Sequence, residues 1–139
     1  MLPSAEPDSL PLTVLLIALG AVLGAWSRYY LTRFCTRRFG LDFPVGTLLI
    51  NLSGSLLMGV AAGLFRIRFA LPHLDHLFMV GFFGSYTTFS TYALDVYALF
   101  RRRAIAPALL YWLGSPLAGF LCVELGILLA VWLSGGISS

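Results

Sequence analysis

The stretch GFFGSYTTFSTY, Gly81 to Tyr92, decides how this chain is read. It lies within an apolar run, yet it carries Gly84, Ser85 and two adjacent threonines, Thr87 and Thr88. Glycine is a poor helix former, and β-branched threonines lose rotamer freedom in a helix. A break is therefore expected near residues 84–87. In hydrocarbon, a break frees backbone carbonyls that must find partners inside the protein. Broken membrane helices of this kind coordinate cations through those oxygens. The alternative is an intact helix whose hydroxyls bond back to the preceding turn. Phe89 and Tyr92 follow, three apart and on one face. The positive edge of an aromatic ring can contact an anion where water is excluded. Plain packing is the more ordinary role for such a pair.

The surroundings of this stretch are those of a membrane protein. Of 139 residues, 59% are hydrophobic and 11% charged, where a soluble domain carries about 25% charge. The mean hydropathy is +0.90. Four apolar runs, at about 11–30, 46–65, 77–100 and 104–133, approach or exceed the roughly 20 residues needed to cross a bilayer. Short connections leave room for one membrane domain over residues 1–139 and no second domain. The acidic, proline-containing start MLPSAEPDSLPL lacks the basic opening of a secretory signal, so the first run is expected to stay as a helix.

All nine basic residues are arginines, and they are unevenly shared. Arg28, Arg33, Arg37, Arg38 and Arg101 to Arg103 fall on one side, and Arg66 and Arg68 on the other. This pattern reads as topology, with both termini outside the cytoplasm, rather than as a nucleic-acid surface. Cys35 and Cys122 are too few and too far apart for a metal or disulfide pattern. His73, Asp75 and His76 could suit a metal, but a solvated loop is the simpler reading.

Polar residues inside the runs carry the functional reading. Thr47, Asn51 and Ser55 are spaced by four and share one helical face. An Asn in hydrocarbon needs hydrogen bonds, either as glue to a neighbouring helix or as the lining of a polar pathway. Tyr111 and Ser115 repeat the spacing in the fourth run, which favours a pathway. Gly20 and Gly24, Gly59 and Gly63, and Ser115 and Gly119 have the spacing of close helix packing. Glu124 lies within the fourth run, and it is either functional or neutralised by protonation or pairing.

Taken together, these segments resemble the Fluc/CrcB family of fluoride channels. LGAVLGAWSRYY (Leu19 to Tyr30) is similar to its GxxxGAxxRY signature, GTLLINLSGSLLMG (Gly46 to Gly59) to GTLxVNxxG, and GFFGSYTTFSTY to GxxGxxTTFSTF. The fourth run's Tyr-xxx-Ser is the weakest match. The resemblance implies an all-α protein of four transmembrane helices with a broken third, paired as an antiparallel, dual-topology homodimer in the cell's inner (plasma) membrane. It implies passive fluoride export through two pores and a structural sodium ion on the carbonyls of Gly84 and Thr87. It assigns Asn51, Thr47, Phe89, Tyr92, Thr88, Ser90, Thr91, Tyr111 and Ser115 to the pore and Asp95 to the vestibule. The family pattern has phenylalanine where Tyr92 stands; the added hydroxyl either donates to fluoride or stiffens the site through a hydrogen bond. Gly119 stands where a further hydroxyl would continue the fourth-run track.

Two alternatives follow. A chain that inserts both ways should have balanced arginines, and seven against two leaves an antiparallel heterodimer open. A small multidrug transporter would share the size, but it uses an acid in its first helix, and none lies between Pro11 and Trp26. An enzyme is not expected, since no nucleophile–base pair, metal cluster or phosphate loop stands out.

Overall fold

The computed structural model describes residues 9–67 and 72–135, and the described residues are helical throughout apart from turns. Helix α1 spans Ser9–Phe39, α2 Val45–Ile67 and α3 Pro72–Asp75. A π-helical stretch, His76–Phe83, leads into α4, Gly84–Tyr86. Helix α5 spans Phe89–Arg101, and α6 spans Ile105–Leu133 with Pro116 inside it. Among the described residues three helical segments are long and apolar enough to cross a membrane: Leu10–Phe39, Val45–Phe65 and Ile105–Leu133. The chain is thus a multi-pass membrane protein. The remaining apolar run is divided into shorter helices.

Helix α1 runs nine residues past its expected end at position 30. Its 31 residues correspond to about 46 Å of helix at about 1.5 Å per residue, more than the roughly 30 Å hydrocarbon core. The surplus turns carry Arg33, Arg37 and Arg38. They end at Gly40, whose φ of +80° suits a glycine and whose N–H donates to the Thr36 carbonyl at 3.0 Å. Arg102 Nη1 donates to the Leu41 carbonyl at 3.2 Å, so the α1–α2 and α5–α6 connections meet at one end of the bundle. Arg68 and the side chains of Arg66 and His73 lie outside the described residues.

Packing follows the small residues. Helix α1 lies along the π-helical stretch and α4, and α2 lies along α6. A Cβ at Gly20 would run into the Leu77 carbonyl oxygen, and one at Gly24 into that of Phe82. On the other seam a Cβ at Gly59 would meet the Val123 carbonyl, and one at Gly126 that of Leu56. Without a hydrophobic drive between helices in lipid, such backbone approach supplies the contact energy. The buried apolar set is small: Tyr92, Leu99, Ala108 and Tyr111 form its main cluster. Large side chains such as Trp26, Leu113 and Trp132 face outward, as a lipid-facing surface requires.

Candidate functional site

The interruption of the third run is made by Thr87 and Thr88. Both are extended, with φ −75°, ψ 159° and φ −151°, ψ 119°. Gly84, at the start of the range in which the break was expected, is helical at φ −60°, ψ −31°. The expected range of 84–87 takes in Thr87, and a tertiary partner fixes the extended pair at its end. That partner is Asn51. Its Nδ2 donates to the Thr88 carbonyl at 3.0 Å, and its Oδ1 accepts from the Thr88 N–H at 2.9 Å. The reciprocal pair fixes which way the amide points, since only the nitrogen can donate and only the oxygen can accept. One side chain thereby satisfies both backbone groups of Thr88.

Local hydroxyls finish the turn. Thr87 Oγ1 donates to the Phe83 carbonyl at 2.9 Å. Thr88 Oγ1 accepts from the Thr91 N–H at 3.3 Å and lies 3.1 Å from Thr91 Oγ1 and 3.4 Å from Ser90 Oγ. Thr88 is the N-cap of α5. Arg28, from α1, reaches the Thr87 carbonyl with Nη1 at a long 3.5 Å. The two amides that would ordinarily serve the Gly84 carbonyl are committed elsewhere, Thr87 N–H to Phe83 and Thr88 N–H to Asn51.

Two cavities border this turn, and one more lies beyond it. The central one, about 440 Å³, is walled by Asn51 and Ser55 of α2, Thr87, Thr88, Phe89 and Tyr92 of the interrupted run, and Ser115 and Gly119 of α6. A second, about 270 Å³, holds Thr47, Thr91 and Asp95 with Asp42 and Arg102. A third, about 570 Å³, is bordered by Arg28, Arg33, Thr47, Thr88, Ser90 and Thr91. Thr47 and Thr91 border the second and third, and Thr88 borders the first and third.

The two expected stripes are therefore each divided. Asn51, Ser55 and Ser115 meet in the central cavity, while Thr47 lines the other two and Tyr111 lines none of the three. Tyr111 is buried, and its hydroxyl neighbours Thr47 and the Asp95 carboxyl. The Tyr111 oxygen and Asp95 Oδ2 lack well-formed hydrogen bonds within the chain. The rings of Phe89, Tyr92 and Tyr111 run in series, with centroids 5.7 and 5.3 Å apart. Phe89 is 80% exposed, whereas Tyr92 is buried. The Tyr92 hydroxyl donates to the Trp112 carbonyl, so of its two expected uses the structure takes the hydrogen bond within the protein.

Sequence reasoning missed two contributors. Arg28 was read as a motif and topology residue, yet it reaches the turn; a charge ending an apolar run was the available signal. Ser53 lies 2.9 Å from the Tyr86 hydroxyl and ties α2 to the end of α4. Nothing in its local sequence announces a partner 33 residues away. Among the described residues no group of three His, Cys, Asp or Glu side chains could hold a metal, and both cysteines are free.

The chain matches known proteins over most of its length. Residues 15–127 match the family described as CrcB-like protein, Camphor Resistance (CrcB). A protein of Synechococcus sp. (strain JA-2-3B'a(2-13)), named fluoride-specific ion channel FluC, is 53% identical over 116 residues, covering 82% of this chain and 88% of that one. Its namesake in Trichormus variabilis is 47% identical over 115 residues, 81% and 84% of the two chains. Another, in Nitrobacter winogradskyi, is 45% identical over 103 residues, 73% and 82%. With most of its length matched by the family and by these relatives, the chain belongs to the CrcB family.

Proposed function

We propose that the protein is a fluoride-selective channel, and a channel rather than an enzyme, as the names of its relatives indicate. The observation that carries the reading is the central cavity. Its wall joins an Asn amide, Ser and Thr hydroxyls and aromatic rings in a bundle built for lipid. Fluoride is small and strongly hydrated, so a pore must replace its water with donors while binding weakly enough to let it leave. Asn51 Nδ2 spends one N–H on Thr88 and has a second to offer. Ser115 and Thr88 add hydroxyls, and Phe89 and Tyr92 add ring edges. Thr47, Thr88, Ser90 and Thr91 provide a hydroxyl route from the central cavity towards Asp95 and Tyr111. Among the described residues no arginine lines the central cavity, where a fixed cation would trap the anion.

In this reading the interrupted run is a fourth, broken crossing, and a second copy lies antiparallel against the central cavity in the inner membrane, making two pores. The support is the open face itself: Phe89 stands 80% exposed beside the central cavity, and Gly84 is exposed too. The Gly84 and Thr87 carbonyls fit a sodium ion by donor chemistry. One has lost its usual amides, the other is only weakly held by Arg28, and sodium in broken membrane helices takes such oxygens. A bound sodium would supply positive charge beside the turn, and two copies would contribute twice the oxygens.

The heterodimer remains a second reading. The Arg102–Leu41 bond brings the α1–α2 and α5–α6 connections, with their arginines, to one end of the described bundle, and that concentration of charge favours a single insertion orientation. Tags on both termini separate the two: mixed orientations are expected of the homodimer, and a single orientation would exclude it. For the pore itself, Asn51→Asp replaces a donor with an anion and should abolish fluoride efflux from liposomes. Unchanged efflux would remove Asn51 from the pathway.

A further inference from the structure

Proline has no N–H, so a proline inside a helix strips the carbonyl four residues earlier of its partner. Pro116 lies inside α6, and the carbonyl it strands is that of Trp112. In a membrane helix such a group has no water to turn to. The Tyr92 hydroxyl, from α5, donates to that same carbonyl. Tyr92, Ser115 and Pro116 are all part of the central cavity wall.

We propose that Tyr92 and Pro116 act as one device that sets the anion path. The hydroxyl neutralises a carbonyl whose negative end would otherwise oppose an anion at the cavity wall. In return, the carbonyl fixes the direction of the Tyr92 ring axis, and the neighbouring Phe89 and Tyr111 rings constrain its plane. Because its proton is committed to Trp112, the hydroxyl is not a donor to the passing ion. The hydroxyl is a positioning group, and the ring edge does the contacting. This rests on the fluoride-channel reading. It carries an unexpected corollary: Tyr92→Phe, which installs the residue of the family pattern, should harm this chain because Pro116 is present.

The test is a double-mutant cycle with two readouts. A buried acceptor left unpaired is costly enough to change a rate by about tenfold. Tyr92→Phe should therefore lower fluoride efflux from liposomes by about that factor. Pro116→Ala restores an amide at position 116, which takes over the Trp112 carbonyl. The double variant should therefore recover to near the wild-type rate. The second readout is the resonance of a ¹³C carbonyl label at Trp112, which should shift in Tyr92→Phe and return in the double variant. Unchanged efflux in Tyr92→Phe, or a double variant as slow as the single, would overturn the proposal. A carbonyl resonance that ignores the Tyr92 hydroxyl would do the same. Should Tyr92→Phe fail to assemble, recovery of assembled protein in the double variant supports the pair, and failure of both overturns it. Wild-type protein that passes no fluoride would sink the channel reading, while the carbonyl readout would still test the pair.

Discussion

Asn51 shows how one side chain can be structural and functional at once. Its position on a polar helical face was legible from spacing alone. Its partner was not, because Thr88 lies 37 residues away and pairs through its backbone. Asn51→Ala would leave the Thr88 N–H and carbonyl unpaired in a buried setting. At about 1–3 kcal/mol for each such group, the variant should lose about 2 kcal/mol or more of stability, readable as a lower unfolding temperature in detergent. Asn51→Asp keeps an acceptor for the Thr88 N–H but sets a second oxygen against the Thr88 carbonyl, so it should lower the unfolding temperature as well as abolish efflux. Phe89 offers the complementary case. With 80% of its surface outside the single chain, Phe89→Ile should reduce fluoride efflux while leaving monomer folding nearly unchanged. A large drop in unfolding temperature would instead mark Phe89 as a folding residue.

At the scale of elements, the glycines were read correctly as packing positions, since small residues four apart have few other uses in an apolar helix. What they pack against depends on the chain's path, and the sequence could not show that α1 would meet a π-helical stretch. Gly24→Leu would drive a side chain into the Phe82 carbonyl, with backbone on both sides unable to yield. That variant should fail to assemble, whereas Gly114→Leu, with open space around it, should assemble normally. Recovery of well-behaved protein by size-exclusion chromatography distinguishes them. The end of α5 offers a gain instead. Arg103 follows the Arg102 C-cap with a φ of +57°, a conformation that glycine adopts freely. Arg103→Gly should be about 1 kcal/mol more stable than Arg103→Ala, which removes the same charge and keeps the strain. At the break, residue preference and tertiary contact act together. Gly84 tolerates helix because nothing there demands otherwise, while Thr87 and Thr88 leave it because Asn51 and an N-cap hydroxyl reward the extended backbone.

For the whole molecule, composition and run length were enough to show a multi-pass bundle, because lipid permits few other solutions for such a chain. The division of the polar stripes among three cavities was not legible, since it depends on how α5 crosses α6 and α2. The surface left open by one chain, with Phe89 projecting and the central cavity unroofed, is what the proposed antiparallel partner would cover. Glu124 lies on the outward face of α6, where an unneutralised acid would be costly in lipid. The central claim, however, concerns the ion. The purified protein in liposomes loaded with fluoride or with chloride, each efflux followed by an ion-selective electrode, tests it most directly. Rapid loss of fluoride with retention of chloride is the expected result, and equal loss of both, or retention of both, would contradict it.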